Sequence, residues 1–232
     1  MRILLIAIAF ILLFSHCNNP RQATEKKETT RFQHRSIAFH HSIVDFELVE
    51  IAARVGFNTV ELQTEHGTLV PLERLRKQAD EGNYFQKFEA LGMQTSLWVH
   101  ELEDYQESWG PITLNNEKLW QEIGAKYDYI CKDLFPEIDH LVLTIVESKF
   151  RITDSQMLNK LIRTVHASAT RAGKKLIVRT FVWDPNELAG VTEAISNLPE
   201  DVIIHTKYVP QDWQLRSINH PLLGDVAGHQ QL

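Results

Sequence analysis

Polar and aromatic side chains recur wherever an apolar run of this sequence ends. They are His40-His41, Glu65-His66, His100-Glu101, Glu147, Trp183-Asp184 and the segment from Lys207 to Asp212. Hydroxyl-rich ligands need hydrogen-bonding partners and their ring faces need aromatic contact, so the pattern suits a sugar or polyol site. Charged residues also follow strands because loops are solvated, so no single position carries the argument. Glu147 stands out. It directly follows the apolar run His140 to Val146, where burial would disfavour its ionised form and suit it to hold a proton as a general acid. The plain alternative is a loop glutamate paired with Lys149 or Arg151.

These residues need elements to position them, and the chain supplies a steady alternation. Strand-like runs are expected at Ser36 to His41, Asn58 to Gln63, Thr95 to Val99, His140 to Val146, Lys175 to Trp183 and Asp201 to Val209. Between them, helical periodicity is expected over Val44 to Val55, Tyr84 to Leu91, Asn116 to Phe135, Asp154 to Ala172 and Asn186 to Leu198. The runs HLVLTIV, KLIVRTFV and DVIIH are nearly continuous apolar stretches. Such runs mark parallel strands covered on both faces, and the alternation marks stacked βαβ units. A Rossmann-type sheet should show a glycine-rich turn after its first strand, yet His40-His41-Ser42-Ile43 holds no glycine. The fold expected is therefore α/β, of the (β/α)8 TIM-barrel type. About six strands are legible where the barrel has eight, so the chain reads as an incomplete barrel that stops after the sixth strand and one further loop.

Composition bounds the rest. The chain has 232 residues, with 24 Lys and Arg against 30 Asp and Glu and a net charge of −6. Basic runs mixed with aromatics are missing, which argues against a nucleic-acid partner. The two cysteines, Cys17 and Cys131, cannot build a disulfide framework, and no zinc-type spacing occurs. Leu4 to Phe14 is apolar but shorter than the roughly 20 residues of a membrane-spanning helix. It suits the core of an export signal. Ser15-His16-Cys17 then gives way to Asn18-Asn19-Pro20, which resembles a bacterial lipoprotein signal with Cys17 as the lipidated residue. The expected organisation is a signal over 1–17, a polar tether over 18–31 and a barrel domain over 32–232. The expected location is the bacterial cell envelope, lipid-anchored, facing the periplasm or the cell surface.

Three segments carry a family resemblance. Leu141 to Ser148 (LVLTIVES), Val178 to Asp184 (VRTFVWD) and Asp201 to Gln214 (DVIIHTKYVPQDWQ), the last continuing through Arg216 to Pro221-Leu-Leu-Gly224, are similar in order and spacing to the catalytic barrel of glycoside hydrolase family 67, the α-glucuronidases. The likeness covers roughly residues 139–224. It implies hydrolysis of uronic-acid-containing polysaccharide with inversion, no cofactor and no metal. Glu147 would be the general acid, Asp212 a carboxylate that activates water, and Lys207 and Arg179 the cations that bind the uronate. Apart from that resemblance, Trp183, Asp184, His40 and His100 are expected as substrate contacts from their places at the strand ends. Ser148-Lys149-Phe150-Arg151 stands where the family has Gly-Gln-Pro-Gly, and the family's second water-activating carboxylate lies beyond the end of this sequence.

Two other readings remain open. A sugar isomerase or epimerase barrel could use His40, Glu65, His100 and Glu147 as a divalent-metal site. A surface lipoprotein could bind glycans without cleaving them.

Overall fold

The computed structural model describes residues 33–39, 43–64, 67–147, 150–182, 185–207, 222, 224 and 226–232. Six strands run in chain order: β1 (Ser36–Phe39), β2 (Thr59–Gln63), β3 (Gln94–His100), β4 (His140–Ile145), β5 (Lys175–Thr180) and β6 (Ile203–Thr206). All five pairings are parallel and the order across the sheet is β1-β2-β3-β4-β5-β6. Every strand thus pairs with its successor in sequence, as in the wall of a (β/α)8-type barrel, with six strands among the described residues.

The helices are α1 (Phe46–Arg54), α2 (Leu69–Gly82), α3 (Tyr84–Ala90), α4 (Glu117–Tyr129), α5 (Ser155–Arg171) and α6 (Pro185–Ser196). Their starts are written locally. Asp45, Asn116 and Asp154 each precede a helix and accept a hydrogen bond from the backbone N–H three residues on, which satisfies one of the orphan donors of the first turn. Helix α2 is solved differently. Thr68 contributes no side-chain cap, and Asp104 reaches across from the loop after β3 to accept from Leu69 N–H at 3.1 and 3.2 Å.

Two layers of side chains separate by strand period. The outward set, including Leu97, Leu141, Leu143 and Val178, joins Leu72, Leu75, Ile123, Leu161 and Ile162 from the helices in the main core. The inward set is small: Trp98, Val142, Ile177 and Ile203 form their own cluster, against which Leu232 packs. Alternation of successive side chains across a strand produces this split.

Sequence pattern assigns no element between Gln63 and Tyr84, but α2 occupies most of it. Its Pro71 lies in the first turn, where the missing N–H costs nothing, and its Leu72, Leu75 and Ala79 are buried. The long helix expected to reach Phe135 ends as α4 at Tyr129 and continues as a single π turn, Ile130–Leu134. Among the described residues, the strand expected to run on to Trp183 pairs as far as Thr180, and that expected from Asp201 to Val209 pairs over Ile203–Thr206. The tail also departs from expectation. It is not a bare loop: Gln230–Leu232 lies parallel to β6, with Ile204 N–H donating to Gln230 O, Leu232 N–H to Ile204 O and Thr206 N–H to Leu232 O. These residues occupy the place of a seventh strand.

Burial sorts the helix positions by their cost of truncation. Leu72 is fully enclosed, whereas Ile51 on α1 is 41% exposed. Leu72→Ala should lower unfolding stability by about 2–5 kcal/mol, and Ile51→Ala by no more than about 0.5 kcal/mol. Urea denaturation of the two variants checks this.

Candidate functional site

The C-terminal half of the sheet's inner face is built in registered layers. Trp98, Val142, Ile177 and Ile203 align across β3 to β6 as an apolar floor. Two residues further on, His100, Thr144, Arg179 and His205 align in the next layer. Above them lie Glu147, which follows β4, and Phe181 and Lys207, which follow β5 and β6.

Glu147 sits where two basic groups meet. Its Oε2 lies 3.4 Å from His100 Nε2 and 3.6 Å from Arg179 Nη1. Val146, the residue before it, has φ of +65°, a left-handed conformation that strains a β-branched residue. Strain of this kind persists only where the surroundings over-determine it, and it tends to sit at functional positions. Here it breaks the strand and turns Glu147 toward the inner face. The pairings with Lys149 or Arg151 that the sequence left open divide accordingly. Arg151 is bonded to Glu187 in the first turn of α6, and Lys149 lies outside the described residues.

Arg179 is fixed from three sides. Its guanidinium lies 4.8 Å from the Trp98 ring centroid, it donates weakly to Thr144 Oγ1 at 3.4 Å, and it faces Glu147. Trp98 Nε1–H donates to the same Thr144 hydroxyl. The Trp98 and His100 rings meet edge to face at 4.8 Å. A planar guanidinium held on an aromatic face presents its remaining N–H groups in a fixed fork, which suits a carboxylate partner. Lys207 is anchored separately, with Nζ 4.1 Å from the Phe181 ring centroid.

The structure therefore brings Glu147, His100 and Arg179 into contact and puts Lys207 on the same side of the sheet, two residues along β6's direction from the registered His205. Asp212, Trp183, Asp184, His40 and Cys17 lie outside the described residues, as do Glu65 and His66. Four residues that sequence reading passed over belong to the same wall: Trp98, Thr144, His205 and Glu61. Counting back by twos from each strand end would have found them, because the strand period puts those positions on the face of the terminal residue.

Electrostatics divides this wall. Burial pushes the His205 imidazole down to about 4, helped by the positive charges of Arg179, His34 and Lys207. Deep burial raises the proton affinity of Glu61, against the pull of its Gln63 hydrogen bond and of Arg179. Near the opposite strand ends, burial lowers His140 to about 4, with His34 and Lys175 adding to the effect. Among the described residues, no group of three metal-ligating side chains comes together. An open groove of about 670 Å³ lined by Arg76, Phe85, Glu137 and Asp139 lies at the N-terminal ends of β3 and β4. In barrels of this kind that end serves stability and the opposite end serves chemistry.

No protein-family model and no curated protein matches the chain. Solved structures do. The pneumococcal virulence factor StrH, studied for N-glycan recognition and hydrolysis, aligns over 86% of this chain and 64% of its own, at 11% identity and a TM-score of 0.51. A glycoside hydrolase family 5 enzyme from Prevotella bryantii B14 aligns over 72% of this chain and 55% of its own, at 13% identity and a TM-score of 0.48. A sugar phosphate isomerase/epimerase from Parabacteroides distasonis aligns over 77% and 67%, at 12% identity and a TM-score of 0.44. At these identities the likeness speaks to fold. The chain spans between about half and two thirds of the length of these three structures.

The buried imidazoles give the fold a pH signature. A histidine whose folded value is about 4 binds its proton more readily in the unfolded chain, near 6.5. Its contribution is complete above pH 6.5 and is lost as pH falls toward 4. The urea midpoint should therefore drop steadily between pH 6.5 and 4, and His140→Gln or His205→Gln should make that slope shallower. The check is a series of urea titrations across this range.

Proposed function

We propose that this chain is the catalytic barrel of an exported glycoside hydrolase of the α-glucuronidase type, acting on uronic-acid-containing polysaccharide. The observation that carries this reading is the placement of Glu147 between His100 and Arg179 at the C-terminal side of the sheet, above an apolar floor that includes Trp98. A carboxyl group there would protonate the leaving oxygen as the glycosidic bond breaks. Arg179 and Lys207 would pair with the uronate, each held on an aromatic ring that limits its freedom. Asp212, by its resemblance to the family's motif, would orient the attacking water on the other face of the sugar. Inversion asks for carboxyl groups roughly 6.5–9.5 Å apart, to leave room for that water. His40, His100, Trp183 and Asp184 would contact the sugar hydroxyls. Cys17 would carry a lipid that holds the domain at the cell envelope.

The test is a panel of uronic-acid-bearing oligosaccharides set beside their neutral counterparts, with released sugar measured. Glu147→Gln should lower kcat on the acidic substrates by about 10²–10⁴-fold, the usual worth of general acid catalysis. Lys207→Met should raise KM for acidic substrates and leave neutral ones unaffected, whereas Arg179→Met, which also removes a partner of Glu147, should slow hydrolysis of both. Binding without hydrolysis would instead identify a glycan-binding protein. Hydrolysis of neutral substrates alone would remove the uronate assignment.

The anchor is tested by detergent partitioning of the full chain against Cys17→Ala. The wild type should enter the detergent phase and the variant the aqueous phase. Identical aqueous behaviour would refute lipidation.

A further inference from the structure

Helix α1 leaves one flank uncovered. Of the eight large apolar side chains exposed among the described residues, five fall between Ile43 and Phe57. They form a patch, unlike the scattered single exposures of an ordinary surface. Leu48, Ile51 and Val55 are 44%, 41% and 67% exposed, and their spacing puts them in one stripe along the helix. Ile43 and Phe57 lie beyond its two ends. The opposite flank is already packed. Phe46, half a turn round the helix from the stripe, meets Tyr84 and Phe88 of α3 with ring centroids 5.2 and 5.7 Å apart, and Lys87 lies over its ring. Val49 and Ala52, on the arc between the two flanks, are buried. The stripe therefore faces away from α3, on the side of β1, the edge strand of the sheet. Its charged border is also unused. Glu47 and Arg54 lie two turns apart on the same border of the stripe, both exposed, and among the described residues neither is in an ion pair.

We propose that this flank docks on the same flank of a second copy of the chain, with the two α1 helices antiparallel about a two-fold axis at Ile51. Ile51 then meets its own counterpart. Leu48 comes level with Val55 of the second copy, and Glu47 with its Arg54, each to within one residue, or about 1.5 Å of rise. Residues on the same border of a stripe face one another across an antiparallel pair, so each Glu47 meets an Arg54 and the contact carries two ion pairs. Charges at such border positions set the orientation in which paired helices meet. A contact of this kind uses the same patch on both copies and closes on itself, so it makes a dimer and not a filament. One helix of nine residues and its flanking apolar side chains cover less than the roughly 1,200–2,000 Å² of a stable interface. The dimer is therefore weak, and Ile51 stays exposed in dilute protein. The contact lies in the outer helical layer and does not depend on the role of Glu147.

Two measurements on the full chain test this. The first is cross-linking. Under mild oxidation Ile51→Cys should run as a disulfide-linked dimer on a non-reducing gel, because the two-fold axis brings the two thiols together. Lys77→Cys, on the exposed side of α2, should stay monomeric, and the wild type controls for Cys17 and Cys131. The second is sedimentation velocity over a concentration series. Wild type should shift from monomer to dimer as concentration rises. Glu47→Arg sets like charges opposite one another and should weaken the dimer about tenfold, and adding Arg54→Glu should restore it. All of these positions are exposed, so thermal unfolding should show each variant folded like the wild type. Equal cross-linking of the two cysteine variants, or a wild type that stays monomeric at every concentration, would overturn the docking surface. A dimer indifferent to Glu47→Arg would overturn the antiparallel pairing.

Discussion

The parallel ladder from β2 to β6 sets every other feature of the site. Its register places Trp98, Val142, Ile177 and Ile203 in one inward layer, and His100, Thr144, Arg179 and His205 in the next. A slip of one residue in any pairing would turn that strand's inward set toward the helices. Arg179 would then be driven into the core beside Leu161 and Val165, and Val178 would take its place over Trp98. The outward residues resist such a slip, because Leu97, Leu143 and Val178 are all fully buried under the helices. The apolar outer layer thus holds the polar inner one in position.

From this constraint the chemistry follows in order. The apolar floor excludes water beneath the site and gives Arg179 a ring to lie on. Thr144 receives both the Trp98 indole N–H and an Arg179 N–H, which ties β3, β4 and β5 together at one hydroxyl. The strained Val146 ends β4 and turns Glu147 inward. Each group near Glu147 is itself braced: Arg179 by the Trp98 ring, and His100 by the Trp98 ring edge and by the Tyr127 hydroxyl, which donates to its carbonyl. Preorganised charge of this kind costs little reorganisation when a substrate's charge changes. The loop after β3 extends the bracing outward, since Asp104 both caps α2 and pairs with the buried Lys126.

The sequence carried the strand order plainly, because continuous apolar runs and helical periodicity alternate through the chain. It also carried Glu147, whose position at the end of an apolar strand is a local signal. It did not carry Trp98 or Thr144. A tryptophan or threonine inside a strand is ordinary in sequence, and its role depends on which residue of the neighbouring strand lies opposite. Helix α2 was missed because its exposed face is dense with charge from Glu73 to Glu81, which masked the three buried positions beneath. Asp212 rests on its resemblance to the family's motif alone, and Trp183, Asp184 and His40 on their places at the ends of strand-like runs.

The central claim is that the inner face around Arg179 and Glu147 receives a uronic acid. The most direct measurement is a crystal structure of the protein grown with glucuronic acid. The account predicts the sugar above Trp98, its carboxylate within hydrogen-bonding distance of Arg179 or Lys207 and its anomeric oxygen facing Glu147. A sugar bound only in the groove by Arg76 and Glu137, or one bound above Trp98 with its carboxylate turned away from both cations, would contradict it.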